Sequence, residues 1–218
     1  MAELRTEEEQ IQAIKDWWKR NGTSLLIGVG AALAIVFGWQ GWQNHQAQER
    51  AAAGKQFETL LASFSNEADE DRGATVGFIA KNLREKYSDS AYAVYGNLIL
   101  ARQQLTDGDV DGAIETLEWT LDKTAEHPAL ALVVRSRLAR AKFAAGNYEE
   151  ALATLDSVKD AGSFTGILEE LRGDILLAKG DRDGARTAYL RARDALGLTG
   201  GSRILELKLS DLGVGEDA

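Results

Sequence analysis

At 218 residues, 44% of them hydrophobic, the chain is long enough to bury a sizeable core without covalent staples. The absence of cysteine excludes a disulfide framework and thiolate chemistry, and two histidines, His45 and His127, are too few for an ordinary zinc site. A net charge of −9 excludes the basic face of a nucleic-acid binder, and a single proline among many Ala, Leu, Glu, Lys and Arg favours helix over sheet.

The first predicted element is a short amphipathic helix in "TEEEQIQAIKDWWKRNG". Thr6 and Glu9 form a capping box, Ile11, Ile14, Trp17 and Trp18 make an apolar stripe, and Asn21-Gly22 supplies a stop. From Asn21 to Gln48 there is no Asp, Glu, Lys or Arg. The centre of that run, Thr23 to Trp42, has the length of ~20 predominantly apolar residues needed to cross a bilayer. Tryptophans stand at both ends, as rings at two interfaces would. A buried helix rarely carries tryptophans at both ends of an uncharged run. A cleaved signal peptide begins with a basic stretch, whereas here "EEE" leads and no cleavage site falls in place. The run therefore reads as a retained transmembrane helix, residues 23–42. Lys15, Lys19 and Arg20 precede it and the next cation is Arg50, so residues 1–22 are expected in the cytoplasm and residues 43–218 across the membrane. Within the span Gly30, Ala34 and Gly38 recur every four residues, a stripe that would let a partner helix approach closely.

Beyond the span, Phe57, Leu60, Leu61 and Phe64 mark one helix, and Val76, Ile79, Ala80 and Leu83 another, a degenerate first repeat. The acidic "NEADEDRG" between them reads as a solvated loop. Three aligned stretches follow: "GDVDGAIETL" from Gly108, "GNYEEALATL" from Gly146 and "GDRDGARTAY" from Gly180, in steps of 38 and 34 residues. In each, a small residue (Ala101, Ala139, Gly173) stands seven before the glycine, so that a second helix can press against the first. The glycine takes left-handed geometry where the first helix ends, and Asp109, Asn147 or Asp181 caps the second. Ala113, Ala151 and Ala185, with Leu117, Leu155 and Tyr189, form the buried face of the second helix. This plan resembles the tetratricopeptide repeat. After the break "GLTGG", Ile204, Leu205, Leu207, Leu209 and Leu212 form a closing helix over the last repeat. The expected fold is all-α: a transmembrane helix, then a solenoid of helical hairpins with a C-terminal cap.

The first repeat turn also matches a calcium loop, with Asp107, Asp109, Asp111 and Glu118 as ligands, Gly112 at the sharp turn and Ile114 inside. The sister turns argue otherwise. Ala145 and Lys179 stand where Asp107 does, and Asp156 and Leu190 stand where Glu118 does. A repeat turn accounts for Gly108, Asp109 and Ala113 in all three copies, whereas calcium accounts for one, so no metal site, cofactor or catalytic residue is expected. The first helices of the repeats place Tyr95, Leu98, Arg102, Leu105, Val133, Arg140, Phe143, Ile167 and Leu177 on one side. Apolar residues with interspersed arginines suit an extended peptide or a partner helix.

Four stretches together, "AIKDWWKRNG", "GWQGWQNHQ", "LRGDILLAKGDRDGARTAY" and "LELKLSDL", are similar to those of the ancillary subunits of the bacterial Sec translocon, and the resemblance covers nearly the whole chain. It implies a single-span inner-membrane protein with a periplasmic tetratricopeptide domain. It further implies association with the Sec translocon and a membrane-anchored periplasmic prolyl isomerase, assistance to newly exported client chains, and contact of the cytoplasmic tail with a stress-response regulator. The alternatives are a scaffold of another envelope complex, a cytosol-facing chaperone adaptor, or an enzyme. The adaptor's carboxylate clamp of Lys and Asn has no counterpart among the groove positions. No nucleophile–base pair favours the enzyme.

Overall fold

The structure, a computed structural model, describes residues 7–66, 68–200 and 203–213. Thr6 of the expected capping box, Glu67 of the acidic loop and Gly201 of the "GLTGG" break lie outside the described residues. Among the described residues the regular elements are nine α-helices and one 3-10 turn. They are α1 (Glu7–Ser65), α2 (Arg72–Lys86), α3 (Ala91–Thr106), α4 (Val110–Asp122), α5 (Pro128–Ala144), α6 (Tyr148–Asp156), α7 (Thr165–Ala178), α8 (Arg182–Gly200) and α9 (Arg203–Ser210), with the 3-10 turn at Gly162–Phe164 before α7. The all-α expectation holds. The chain falls into two compact units, residues 1–52 and 53–218.

In the first unit the expected stop at Asn21-Gly22 does not occur, because α1 runs through it. A glycine ends a helix by taking left-handed geometry, and Gly22 is not among the positive-φ glycines. Its lack of a side chain serves another purpose. The Trp18 indole lies over it, so that a Cβ there would stand 3.1 Å from Cε2 of the ring. Asn21 donates from Nδ2 to the Trp17 carbonyl at 3.2 Å and stays within the helix. The apolar residues of the run, Leu25 to Phe37 with Trp39 and Trp42, are exposed rather than packed on protein, which removes the buried-helix reading. This is one helix long and apolar enough to cross a membrane, and it fits an anchor.

The second unit begins within α1, whose Ala53 and Leu60 join Val76, Ile79, Ala80 and Leu83 of α2 and Ala93 of α3 in a first core. Phe57 and Phe64 flank it, while Leu61 faces outward. From there each helix from α2 to α9 packs on the next in chain order, the nearest-neighbour arrangement of a solenoid. Three further cores follow. One is centred on Leu98, Leu117 and Leu138, one on Ala151, Leu155 and Ile175, and the last on Ala185, Tyr189 and Leu205.

The hairpins form as the repeat pattern predicts. Gly108, Gly146 and Gly180 take φ of 83°, 79° and 89°, which other residues adopt only under strain. Asp109 accepts from Gly112 N and Asp181 from Gly184 N, both at 2.9 Å, closing an orphan donor at the start of α4 and α8. Asn147 differs. It stands at the N-cap of α6 without a side-chain bond, and Glu149 and Glu150 in the first turn supply the charge that favours a helix start. Ala113, Ala151 and Ala185 are fully buried.

Two details at the C-terminal end depart from expectation. The chain leaves helical geometry at Gly197, with φ 67° and ψ 178°, but helix resumes through Gly200. In α9 only Leu205 and Leu209 are buried, followed by Leu212, whereas Ile204 and Leu207 are 61% and 59% exposed. The reason is periodicity. Positions 205, 209 and 212 share one face at i, i+4, i+7, and 204 and 207 fall outside it.

Candidate functional site

The residues of the calcium-like loop are drawn apart by the hairpin they build. Asp109 spends Oδ1 on the Gly112 amide and accepts from Gln104 Nε2 at 3.2 Å through Oδ2. Asp107 accepts from Gln103 Nε2 at 2.9 and 3.0 Å. Glu118 lies two turns into α4 and pairs with Lys142 of α5 at 2.9 Å. Among the described residues no group of three or more His, Asp or Glu gathers as metal ligands would.

The groove residues separate into distinct places. Leu98, Arg102 and Leu105 of α3 and Arg140 of α5 line one depression of about 390 Å³, together with Leu117 of α4 and Arg137 of α5. Tyr95 belongs to another, of about 810 Å³, whose lining includes Asp89, Lys123, Glu126 and His127. Lys123 donates to Asp89 at 3.1 Å, and this bond holds the Asp89 carboxyl below its usual range. Phe143 packs beside Tyr148, ring centroids 5.9 Å apart, in the third core. Val133 is half-buried, Ile167 stands exposed on α7, and Leu177 flanks the last core. Arg137 is the residue that sequence reasoning passed over. Its position three before Arg140 puts both on one face of α5.

Arg102 is held in place by stacking, with its guanidinium carbon 5.4 Å from the centre of the Phe64 ring on the last turns of α1. Several cations of the neighbouring helices are instead paired with carboxylates. Lys142 meets Glu118 and Glu150, Lys179 meets Glu149 at 2.8 Å, and Arg172 meets Asp156 at 2.7 Å.

The closing helix is fastened by a polar cluster. Lys208 of α9 reaches Asp174 at 2.7 Å and Glu170 at 2.8 Å, both on α7, and the Tyr189 hydroxyl donates to Asp174 at 2.8 Å. Burial alone would lower the Lys208 ammonium, but its bonds to Asp174 and Glu170 outweigh that and raise it. Burial, reinforced by the Asp174 carboxylate, pushes the Tyr189 phenol well above its ordinary range.

The chain matches the family model of the tetratricopeptide repeat-like domain over residues 15–214. It is 32% identical over 212 residues to a Haemophilus influenzae protein named "Ancillary SecYEG translocon subunit", covering 97% of this chain and 100% of that one. The chain belongs to this family. Two further members bear the same name. The one from Aggregatibacter actinomycetemcomitans is 31% identical over 97% of this chain and all of its own length. The one from Escherichia coli is 28% identical over 95% of this chain and 97% of its own. The family-model match begins within α1 and takes in residues of both compact units, so the apolar helix and the hairpin array fall within one match.

Proposed function

We propose that this protein is a membrane-anchored scaffold of the Sec translocon, acting through binding rather than catalysis. Residues 23–42 cross the inner membrane once, residues 1–22 face the cytoplasm and residues 43–218 form the periplasmic repeat domain. There it associates with the translocon and with a membrane-anchored prolyl isomerase, and assists newly exported chains; its cytoplasmic segment is offered to a stress-response regulator. The observation that carries this reading is the uncovered apolar helix in one chain with the hairpin array, a pairing matched nearly end to end by relatives named as ancillary SecYEG subunits.

The test has two readouts. The chain is expected to be recovered with SecYEG from membranes dissolved in mild detergent, and recovery of none overturns the reading. In spheroplasts, external protease is expected to digest the repeat domain. Protection there, with cleavage only after lysis, would turn the topology over and favour a cytosol-facing adaptor.

A further inference from the structure

We infer that the depression between α3 and α5 is a docking site for a polypeptide segment that presents a carboxylate beside an apolar side chain. The inference rests on the scaffold reading above and gives it a specific point of contact.

Three observations carry it. The floor is apolar, made by Leu98, Leu105 and Leu117, and Leu105 is 37% exposed. Around that floor stand Arg102, Arg137 and Arg140, and none of the three guanidiniums has a hydrogen bond or ion pair among the described residues. Nearby cations show the alternative. In a chain of net charge −9, carboxylates abound, and Lys142 of α5 and Arg172 of α7 are matched to them. Here three cations converge and remain unmatched, with one of them fixed in position by the Phe64 ring.

Unmatched charge of one sign over an apolar surface selects its complement. The guanidinium fork fits a carboxylate with two parallel hydrogen bonds. The leucine floor removes from water whatever apolar group lies beside that carboxylate. Inorganic phosphate would meet the arginines and leave the floor wet, whereas an acidic–apolar peptide satisfies both. On a helical segment, Glu and Leu four residues apart lie on one face and would reach rim and floor together.

The experiment uses the full chain in nanodiscs of neutral lipid. The probe is a fluorescein-labelled peptide of Leu and Glu, with a twin in which Gln replaces every Glu. Saturable binding of the Glu peptide is expected, weaker by about tenfold or more for the Gln twin and for the Arg137→Gln/Arg140→Gln variant. Leu105→Glu, which supplies the rim with a carboxylate of its own, should lose binding to a similar degree. Equal binding of the two peptides, or an unchanged double variant, overturns the inference. So does displacement of the peptide by millimolar phosphate, or a variant that loses only attachment to vesicles containing anionic lipid, since the arginines would then serve phosphate or headgroups. An arginine-dependent dimer would assign the rim to a second copy of this chain and overturn it as well. SecYEG recovery is scored separately: its absence with wild type removes the scaffold reading and leaves the peptide result standing.

Discussion

The ring of Tyr189 occupies the space that a side chain on Gly173 would need: a Cβ built there falls inside contact distance of Cδ1, Cε1 and Cζ of the ring. In the other two hairpins the same pair of positions holds Ala101 with Leu117 and Ala139 with Leu155. Small residue and large residue thus trade volume across the helix–helix contact. Gly173→Ala is expected to destabilise the protein by about 1–3 kcal/mol through overpacking. Combining it with Tyr189→Leu recreates the pairing of the sister repeats. The double variant should be more stable than the sum of the two single losses predicts, by about 1 kcal/mol or more. Chemical denaturation of the four proteins checks this; strict additivity would mean that the two sites do not compete for space.

Ala151 is fully buried in the third core, among Ala139, Leu155 and Ile175. Ala151→Leu is expected to cost roughly 1–3 kcal/mol, because the added methylenes must displace close-packed neighbours. Ala153→Leu, on the exposed side of the same helix, is the control and should leave the melting temperature within a degree or so.

Asp109 is an N-cap before it is anything else. Asp109→Ala should cost about 1 kcal/mol, the usual loss on removing a capping side chain. The cost should be the same in calcium and in chelator. Calorimetry with stoichiometric micromolar calcium binding, lost in Glu118→Gln, would contradict this assignment.

The closing cluster makes stability fall on the alkaline side. Tyr189 and Lys208 both hold their protons more tightly in the fold than their ordinary values of 10.0 and 10.5. Above those values the unfolded chain releases protons that the native state retains, so stability is fully present below about pH 10 and declines as pH rises beyond it. In Tyr189→Phe the decline between pH 10 and 11 should be shallower than in wild type. Lys208→Met should lose roughly 2 kcal/mol at neutral pH by leaving Asp174 and Glu170 without their partner. Urea unfolding across that pH range is the measurement, and parallel curves for wild type and Tyr189→Phe would contradict the account.

A Cβ on Gly30 or Gly38 would meet nothing within 4 Å, so the stripe these residues form with Ala34 is open along its length. If a partner helix packs there, Gly30→Leu with Gly38→Leu should weaken recovery of SecYEG or the isomerase while leaving membrane insertion intact. Val36→Leu, off the stripe, should be silent. Equal recovery by all three proteins would move the contact to the repeat domain.

How much of this was legible depended on whether the signal was local. The three turns could be read because glycine, cap and buried alanine lie within a few residues of one another, and their repetition offers a second source for the calcium-like spacing of the first. The passage of α1 through Asn21-Gly22 could not, since a stop signal of two residues is overruled by the helix formers on either side and by the Trp18 ring over Gly22. Gly166 was equally hidden. A Cβ there would stand 2.5 Å from Leu196 Cγ, a contact that exists only once α7 and α8 are laid antiparallel in the register of Gly173 and Tyr189. For the candidate site, one-sided periodicity brought Leu98, Arg102 and Arg140 together correctly on paper. It could not separate Tyr95 into a second depression or send Phe143 into the core, because those placements depend on how neighbouring helices turn.

The interior of residues 53–213 is divided among four clusters strung along the array rather than pooled in one. Mechanically that is a row of springs in series: a pull across the ends is felt at every joint, and small deflections add. The joints are unequal. Helix α7 meets α8 over Gly166 and Gly173 with almost no gap, whereas the nine-residue α6 meets α7 through the third core and the ion pairs Arg172–Asp156 and Lys179–Glu149. A row of this kind gives a little at each joint rather than hinging at one, so the arginine-rimmed depression between α3 and α5 changes shape only by what its own helices' joints give.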